Sequence, residues 1–64
     1  MYRNLSLVCL TPDNINNFVG RTILIQFFDG TWKLGKNNGY SWTDKDLNNH
    51  LYKWEKYNGV YLLP

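Results

Sequence analysis

The sequence predicts a small α+β fold, in which an antiparallel sheet carries one main helix on one face. An Asp-Gly pair, Asp29-Gly30, separates two runs rich in β-branched and aromatic residues, and this pattern predicts a β-hairpin over 22–36. Farther along, apolar residues recur at helical spacing over about 44–57. With a strand and a short helix before the hairpin and a strand after the main helix, the elements follow the order β-α-β-β-α-β.

The size of the chain predicts a single domain, 1–64, of marginal stability. A chain this short buries only about 60% of the surface that its unfolded form exposes. One cysteine and one histidine provide neither an internal disulfide nor a structural zinc site, so we expect no metal and no cofactor. Three Trp, five Tyr and three Phe supply large side chains that can compensate, and a homodimer is another way to enlarge the core.

The first predicted strand, 5–10, is a nearly continuous apolar run in which Cys9 is expected to be a small buried hydrophobe. The next residues, Thr-Pro-Asp at 11–13, are typical of a helix start, with threonine as the N-cap and proline in the first turn. The helix is limited to two turns, because Gly20 stands where a helix-ending glycine belongs.

The hairpin is predicted to turn through a type I′ turn at Asp29-Gly30. This turn places Phe27 opposite Trp32 and Ile25 opposite Leu34. Because side chains alternate between the two faces of a sheet, we expect one face to lie in the core and the other to be partly exposed to solvent. The expected core face comprises Ile23, Ile25, Phe27, Trp32 and Leu34.

The main helix is predicted to begin after Thr43 as N-cap, with aspartates in its first turn. Asp46 and His50 are four residues apart and are expected to form a structural pair on it. Gly59 ends the helix, and a strand over 60–63 closes the sheet. The side of the helix that packs on the sheet is expected to present Leu47, His50, Leu51 and Trp54.

A small SH3-like barrel is the alternative fold. The residues Val-Gly-Arg-Thr-Ile at 19–23, followed by Asp29-Gly30, look like the first two strands of SH3-like or Sm-like barrels. The resemblance covers only this part of the chain, since no matching third strand follows.

The sequence predicts a protein that is not an enzyme. It contains no Ser, His and Asp arrangement typical of a catalytic triad, no glycine-rich phosphate-binding loop and no clustered metal ligands. No stretch approaches the roughly 20 apolar residues that span a bilayer, and the first residues do not have the pattern of a secretory leader. We therefore expect no membrane association and a cytoplasmic location.

The composition indicates a phage or mobile element as the source. Nine Asn, no Ala and a single Glu are typical of AT-rich coding, which is frequent in such elements. With such a source, the expected cytoplasmic location is the cytoplasm of a bacterial host cell.

The function expected from these observations is binding to another protein, with inhibition or modulation of a host protein as the outcome. Tyrosine and tryptophan provide most interface hot spots, and lysines flank several of them here. The alternative is nucleic-acid binding, with Arg21 and Lys33 among the cations on phosphates and Tyr40 or Trp42 stacking on bases. A homodimer is a third possibility. The predicted partner-binding residues are Tyr40, Trp42, Tyr52, Tyr57, Lys36, Lys53 and Lys56.

Overall fold

The computed structural model describes residues 8–64, which form one antiparallel sheet of six strands in the spatial order β1-β6-β2-β3-β4-β5. Strands β2 to β5 follow one another as a meander, and β6 returns to pair with β2. The strands are β1 Val8–Cys9, β2 Thr22–Phe27, β3 Trp32–Asn37, β4 Ser41–Asp44, β5 Asn49–Leu51 and β6 Tyr57–Leu62. Two 3₁₀ helices, Ile15–Phe18 and Trp54–Lys56, complete the described elements.

The predicted main helix over about 44–57 is wrong, and with it the α+β class and the β-α-β-β-α-β order. Residues 8–64 contain no helix longer than the two 3₁₀ segments. In place of a helix start, Asp44 closes a turn, because its Oδ1 accepts hydrogen bonds from the backbone N–H groups of Asp46 and Asn48, both at 2.9 Å. Leu47 then takes a left-handed φ of 68°, which no α-helix accommodates. Aspartate is favoured both at helix starts and in such turns, so the sequence pattern was ambiguous.

The alternative, a small SH3-like barrel, stays a prediction. It requires strands and short turns rather than a long helix. In the described part of the chain, however, β1 and β5 lie at opposite ends of the strand order, and no pairing between them closes the sheet.

The beginning of the chain differs from the prediction in two respects. The expected strand over 5–10 lies largely outside the described residues, and its described part contributes only β1. Cys9 in β1 is exposed rather than buried, because it pairs with Tyr61 on the side of the sheet opposite the core. The expected two-turn helix is a single 3₁₀ segment, which Asn14 rather than Thr11 precedes.

The hairpin over 22–36 forms, but its register differs by one residue from the prediction. Leu24 pairs with Leu34 and Gln26 pairs with Trp32. The loop has three residues, since the Phe27 N–H donates to the Thr31 carbonyl at 2.9 Å. Its last residue is a glycine with a φ of 92°, as in a type I turn followed by a left-handed residue.

The side chain of Asp29 selects this longer loop. Its Oδ1 accepts the backbone N–H of Thr31 at 2.9 Å and the hydroxyl of the same residue at 2.7 Å. The loop therefore begins one residue earlier than a type I′ turn at Asp29-Gly30 would, and Phe27 instead of Phe28 lies opposite Thr31. A slip of one residue moves every side chain of a strand to the other face. Trp32 and Leu34, expected in the core, are therefore 47% and 53% exposed.

The core lies between the inner face of the sheet and the two 3₁₀ helices. Ile23 and Ile25 of β2 are fully buried, as predicted, and Trp42 of β4 is 2% exposed. Ile15 of the first 3₁₀ helix covers one side. The buried apolar residues are Leu10, Ile15, Ile23, Ile25, Trp42, Tyr57, Val60 and Leu62.

Candidate functional site

The outer face of the sheet, opposite the core, carries apolar side chains that nothing in residues 8–64 covers. Leu24 and Leu34 pair directly across β2 and β3, and Leu24 also pairs with Tyr61 on β6. The register of the hairpin places Trp32 on this same face, beside Gln26. We call the set Leu24, Trp32, Leu34, Tyr61 and the adjacent Leu47 the outer patch.

Two rings form the aromatic half of the outer patch. Trp32 and Tyr61 lie on strands that flank β2, and their ring centroids are 6.2 Å apart with the planes inclined by 32°. The Tyr61 ring lies so close over Gly59 that a Cβ at position 59 would collide with it. Glycine at this position therefore allows the tyrosine ring to lie flat along the sheet. The pair presents a broad aromatic surface.

Leu47 extends the outer patch from the sheet onto the turn between β4 and β5. It is 84% exposed and is the one non-glycine residue of the described chain with a positive φ. Leu34 and Leu47 line the same shallow cleft of about 260 Å³. A second cleft of about 370 Å³ adjoins it, and Trp32 and Leu34 line it together with the charged residues Lys33, Asp44, Lys45 and Asp46. Exposed apolar side chains therefore extend from the centre of the sheet to the turn, with charged side chains beside them.

The turn that carries Leu47 is held by one carboxylate. Besides its two backbone bonds, Asp44 accepts a hydrogen bond from Nε2 of His50 at 2.7 Å. This bond first, and the bond from the Asn48 N–H second, hold the pKa of the Asp44 carboxyl below its usual value of 3.8. The expected pair between Asp46 and His50 does not form, because the helix on which the two residues would meet does not exist.

The imidazole of His50 also stacks on Trp42, with ring centroids 4.4 Å apart and planes inclined by 23°. The tryptophan Nε1 in turn donates to the Tyr57 hydroxyl at 3.1 Å. The turn is thus tied to the core through a carboxylate, an imidazole and an indole.

The structure places three of the four predicted partner-binding aromatics in or against the core. Trp42 and Tyr57 are buried. Tyr52 is half-buried, and its hydroxyl donates to Oδ1 of Asn37 at 2.9 Å. Burial raises the pKa of Tyr52 well above its ordinary value, and the nearby Tyr57 adds to this, so the phenol remains a donor. Tyr40, at 80% exposed, is the aromatic of this group that is free to contact a partner.

The predicted lysines are all exposed, and Lys53 and Lys56 lie at one cleft whereas Lys36 lies elsewhere. Lys36 pairs with Thr22 and Thr43, so it lies beside Leu34 on the outer face. Lys53 and Lys56 flank the second 3₁₀ helix and line a different cleft. The structure therefore does not bring the seven predicted residues onto one surface.

Sequence reasoning missed most of the outer patch because it assigned Trp32 and Leu34 to the core. One pattern in the sequence could have indicated that these two residues lie on the outer face. The segment Phe-Asp-Gly at 28–30 fits a three-residue loop with glycine in the left-handed position as well as it fits a type I′ turn. Leu47 had no such signal, since leucine is uncommon in a left-handed conformation.

Two further observations concern metal ligands and membrane-spanning helices. Residues 8–64 contain no group of three or more His, Cys, Asp or Glu side chains arranged to hold a metal ion. Within the same residues, no helix has the length and apolar character needed to cross a membrane.

No protein-family profile, no curated protein and no solved structure matches this chain.

Proposed function

We propose that this protein is a small binding protein without enzymatic activity that attaches to another protein through its outer patch. One observation carries the proposal: the register of the hairpin leaves Trp32 and Leu34 about half exposed on a face that no described element covers. A 64-residue chain has few apolar side chains with which to build a core. Large apolar residues placed outside the core therefore call for a role other than stability.

The strained backbone at Leu47 supports the same conclusion. A left-handed conformation is unfavourable for leucine, and 84% exposure means that the side chain gains little from burial in the free protein. Asparagine or glycine would suit this turn position better. An exposed leucine at a strained position gains its contacts only when a partner covers it.

The occupant we propose is a different protein that presents an apolar surface. The middle of the outer patch is neutral, and Lys36 lies at its edge. A surface of this kind suits the apolar centre and polar rim of a protein–protein interface. Trp32 and Tyr61 are the residue types that most often anchor such interfaces. A phage or mobile-element origin, indicated by the composition, would make the partner a host protein in the bacterial cytoplasm, inhibited or modulated because this domain occupies part of its surface.

The proposal is tested by capture and site-specific crosslinking. The tagged protein is incubated with nuclease-treated bacterial lysate, in parallel with the variant Trp32→Ser/Leu34→Ser. A photo-crosslinking amino acid is placed at position 34 in one sample and at position 40 in another. We expect a captured protein that resists nuclease, is lost with the double variant and crosslinks at position 34.

Tyr40→Ser serves as the matched control, because it removes an exposed aromatic that is not part of the outer patch. It should retain capture. Capture that survives the double variant, or is lost equally with Tyr40→Ser, contradicts the proposal. Crosslinks from position 34 only to a second copy of the chain would also contradict it, since the outer patch would then be a homodimer interface.

A further inference from the structure

A cleft on the other side of the molecule gathers three lysines from separate parts of the chain. Lys33 comes from β3, Lys53 follows β5, and Lys56 ends the second 3₁₀ helix. The side chain of Lys33 leaves the sheet on the inner face, because this residue pairs with the buried Ile25. We call this space, which has a volume of about 490 Å³, the lysine cleft.

No carboxylate lines the lysine cleft. Among residues 8–64, the single contact between a basic and an acidic side chain at salt-bridge distance joins His50 to Asp44, and none of the three lysines has an acidic partner there. Glu55 lies between Lys53 and Lys56 in sequence but is not part of the cleft lining. Three positive charges around one space repel one another, and a bound anion relieves that repulsion.

The floor of the lysine cleft is aromatic. Phe27 lies beneath the Lys33 ammonium, whose Nζ is 5.9 Å from the ring centroid. His50 stacks on the buried Trp42 and keeps 38% of its side chain exposed toward solvent. Rings beside cations provide both a stacking surface and charge for a ligand that combines a flat base with a phosphate. The volume lies within the usual range of small-ligand sites, about 300–1,000 Å³.

We propose that the lysine cleft binds a nucleotide, either free or as a unit of a single strand. The ammonium groups of Lys33, Lys53 and Lys56 contact the phosphate, and the base packs against Phe27 and His50. The outer patch contributes none of these residues, although Lys33 also lines the cleft beside Trp32 and Leu34.

The test is fluorescence anisotropy at low salt with a labelled single-stranded DNA of about ten nucleotides. Adenosine monophosphate and inorganic phosphate serve as competitors. The variant Lys33→Gln/Lys53→Gln/Lys56→Gln is compared with Lys36→Gln/Lys45→Gln, which removes exposed lysines outside the cleft. We expect at least tenfold weaker binding by the cleft variant. We also expect its slope of log affinity against log salt to become shallower by about 0.7 for each phosphate that a lysine no longer neutralises.

The competitors identify the source of the ligand. If adenosine monophosphate binds as tightly as the single-stranded DNA, the ligand is a free nucleotide. If it competes only weakly, the ligand is a strand. Both outcomes support the site. Equal competition by inorganic phosphate and the mononucleotide would overturn it, because the base would then contribute nothing. Equal losses in the cleft and control variants, or no binding of any probe, would overturn it as well. Thermal unfolding of each variant verifies that the substitutions leave the fold intact.

Discussion

Asn37 is the most deeply buried polar residue in the described part of the chain. It is fully buried, and its Nδ2 donates to the carbonyls of Ile15 and Phe18 at 2.8 and 3.0 Å. Its Oδ1 accepts the Gly39 N–H at 2.8 Å and the Tyr52 hydroxyl at 2.9 Å. One side chain thereby fixes the first 3₁₀ helix, the turn after β3 and the segment after β5 relative to one another.

Replacing Asn37 with alanine should lower the free energy of unfolding by about 3 kcal/mol. The substitution leaves two carbonyls, one N–H and one hydroxyl without their hydrogen-bond partner. Each buried polar group left unpaired costs about 1–3 kcal/mol, and water that reaches some of these groups reduces the total cost. Urea unfolding measures the change. Asn38→Ala is the matched control, because Asn38 is exposed and should cost less than about 1 kcal/mol. Equal losses at the two positions would contradict the role of Asn37.

Asp44 makes stability depend on pH in the acid range. Its folded-state pKa lies below 3.8, chiefly through the hydrogen bond from His50, whereas its unfolded-state pKa is the ordinary one. A lowered pKa means that the stabilisation is complete above the unfolded value and is lost as pH falls through the folded value. The pKa of Asp29 is lowered in the same direction, because Thr31 donates to its carboxylate.

The substitution Asp44→Asn tests this dependence. The difference in unfolding free energy between the wild type and the variant should be constant at neutral pH and should shrink as pH falls below about 4. Urea titrations at a series of pH values give that difference directly. A difference that stays constant down to about pH 2 would refute the assignment to Asp44.

At the scale of elements, the turn between β4 and β5 combines strain with exposure. Replacing Leu47 with asparagine should raise the free energy of unfolding by about 0.5–1 kcal/mol, since asparagine tolerates a left-handed φ. The same change should weaken attachment of the partner protein, because it removes an apolar side chain from the outer patch. Leu51→Asn provides the control, as Leu51 is 64% exposed within a regular strand and relieves no strain. A Leu47 variant less stable than the wild type would argue against strain at this turn.

The elements of the sheet could be predicted from the sequence where local chemistry was unambiguous. The β-rich runs around 22–36 and the closing strand over 60–63 correspond to observed strands, and Ile23 and Ile25 lie in the core as expected. Apolar residues at alternating positions determine a strand whatever its partners. The lengths differ, since β6 begins at Tyr57.

The register and the helix could not be predicted, because each depended on one aspartate whose side chain has two uses. Asp29 fits a two-residue or a three-residue loop, and its bonds to Thr31 decide between them. Asp44 fits a helix start or a closed turn, and its bonds to Asp46 and Asn48 decide again. Because of the first ambiguity, the side chains of β3 were predicted on the wrong faces of the sheet. Because of the second, a helix was predicted where the chain forms the β4–β5 hairpin.

At the scale of the whole molecule, the two faces of the sheet differ in chemistry. The outer face carries the apolar outer patch, and the inner face ends in the lysine cleft. If the charged residues behind the formal net charge of +2 were distributed evenly over the surface, the molecule would have neither an uncharged patch nor a group of three lysines. This separation would let one small domain contact an apolar protein surface and an anionic ligand without competition between them.

Trp32 lies on a free surface of the molecule, whereas Trp42 lies in the core. Urea unfolding of Trp32→Ala and Trp42→Ala, monitored by circular dichroism, measures this difference. The structure predicts a loss of about 1 kcal/mol or less for Trp32, which is 47% exposed, and about 3–5 kcal/mol for Trp42, which is 2% exposed. Losses of about 3 kcal/mol or more at both positions would place Trp32 in the core, restore the other register of the hairpin and remove the outer patch on which the proposed function rests.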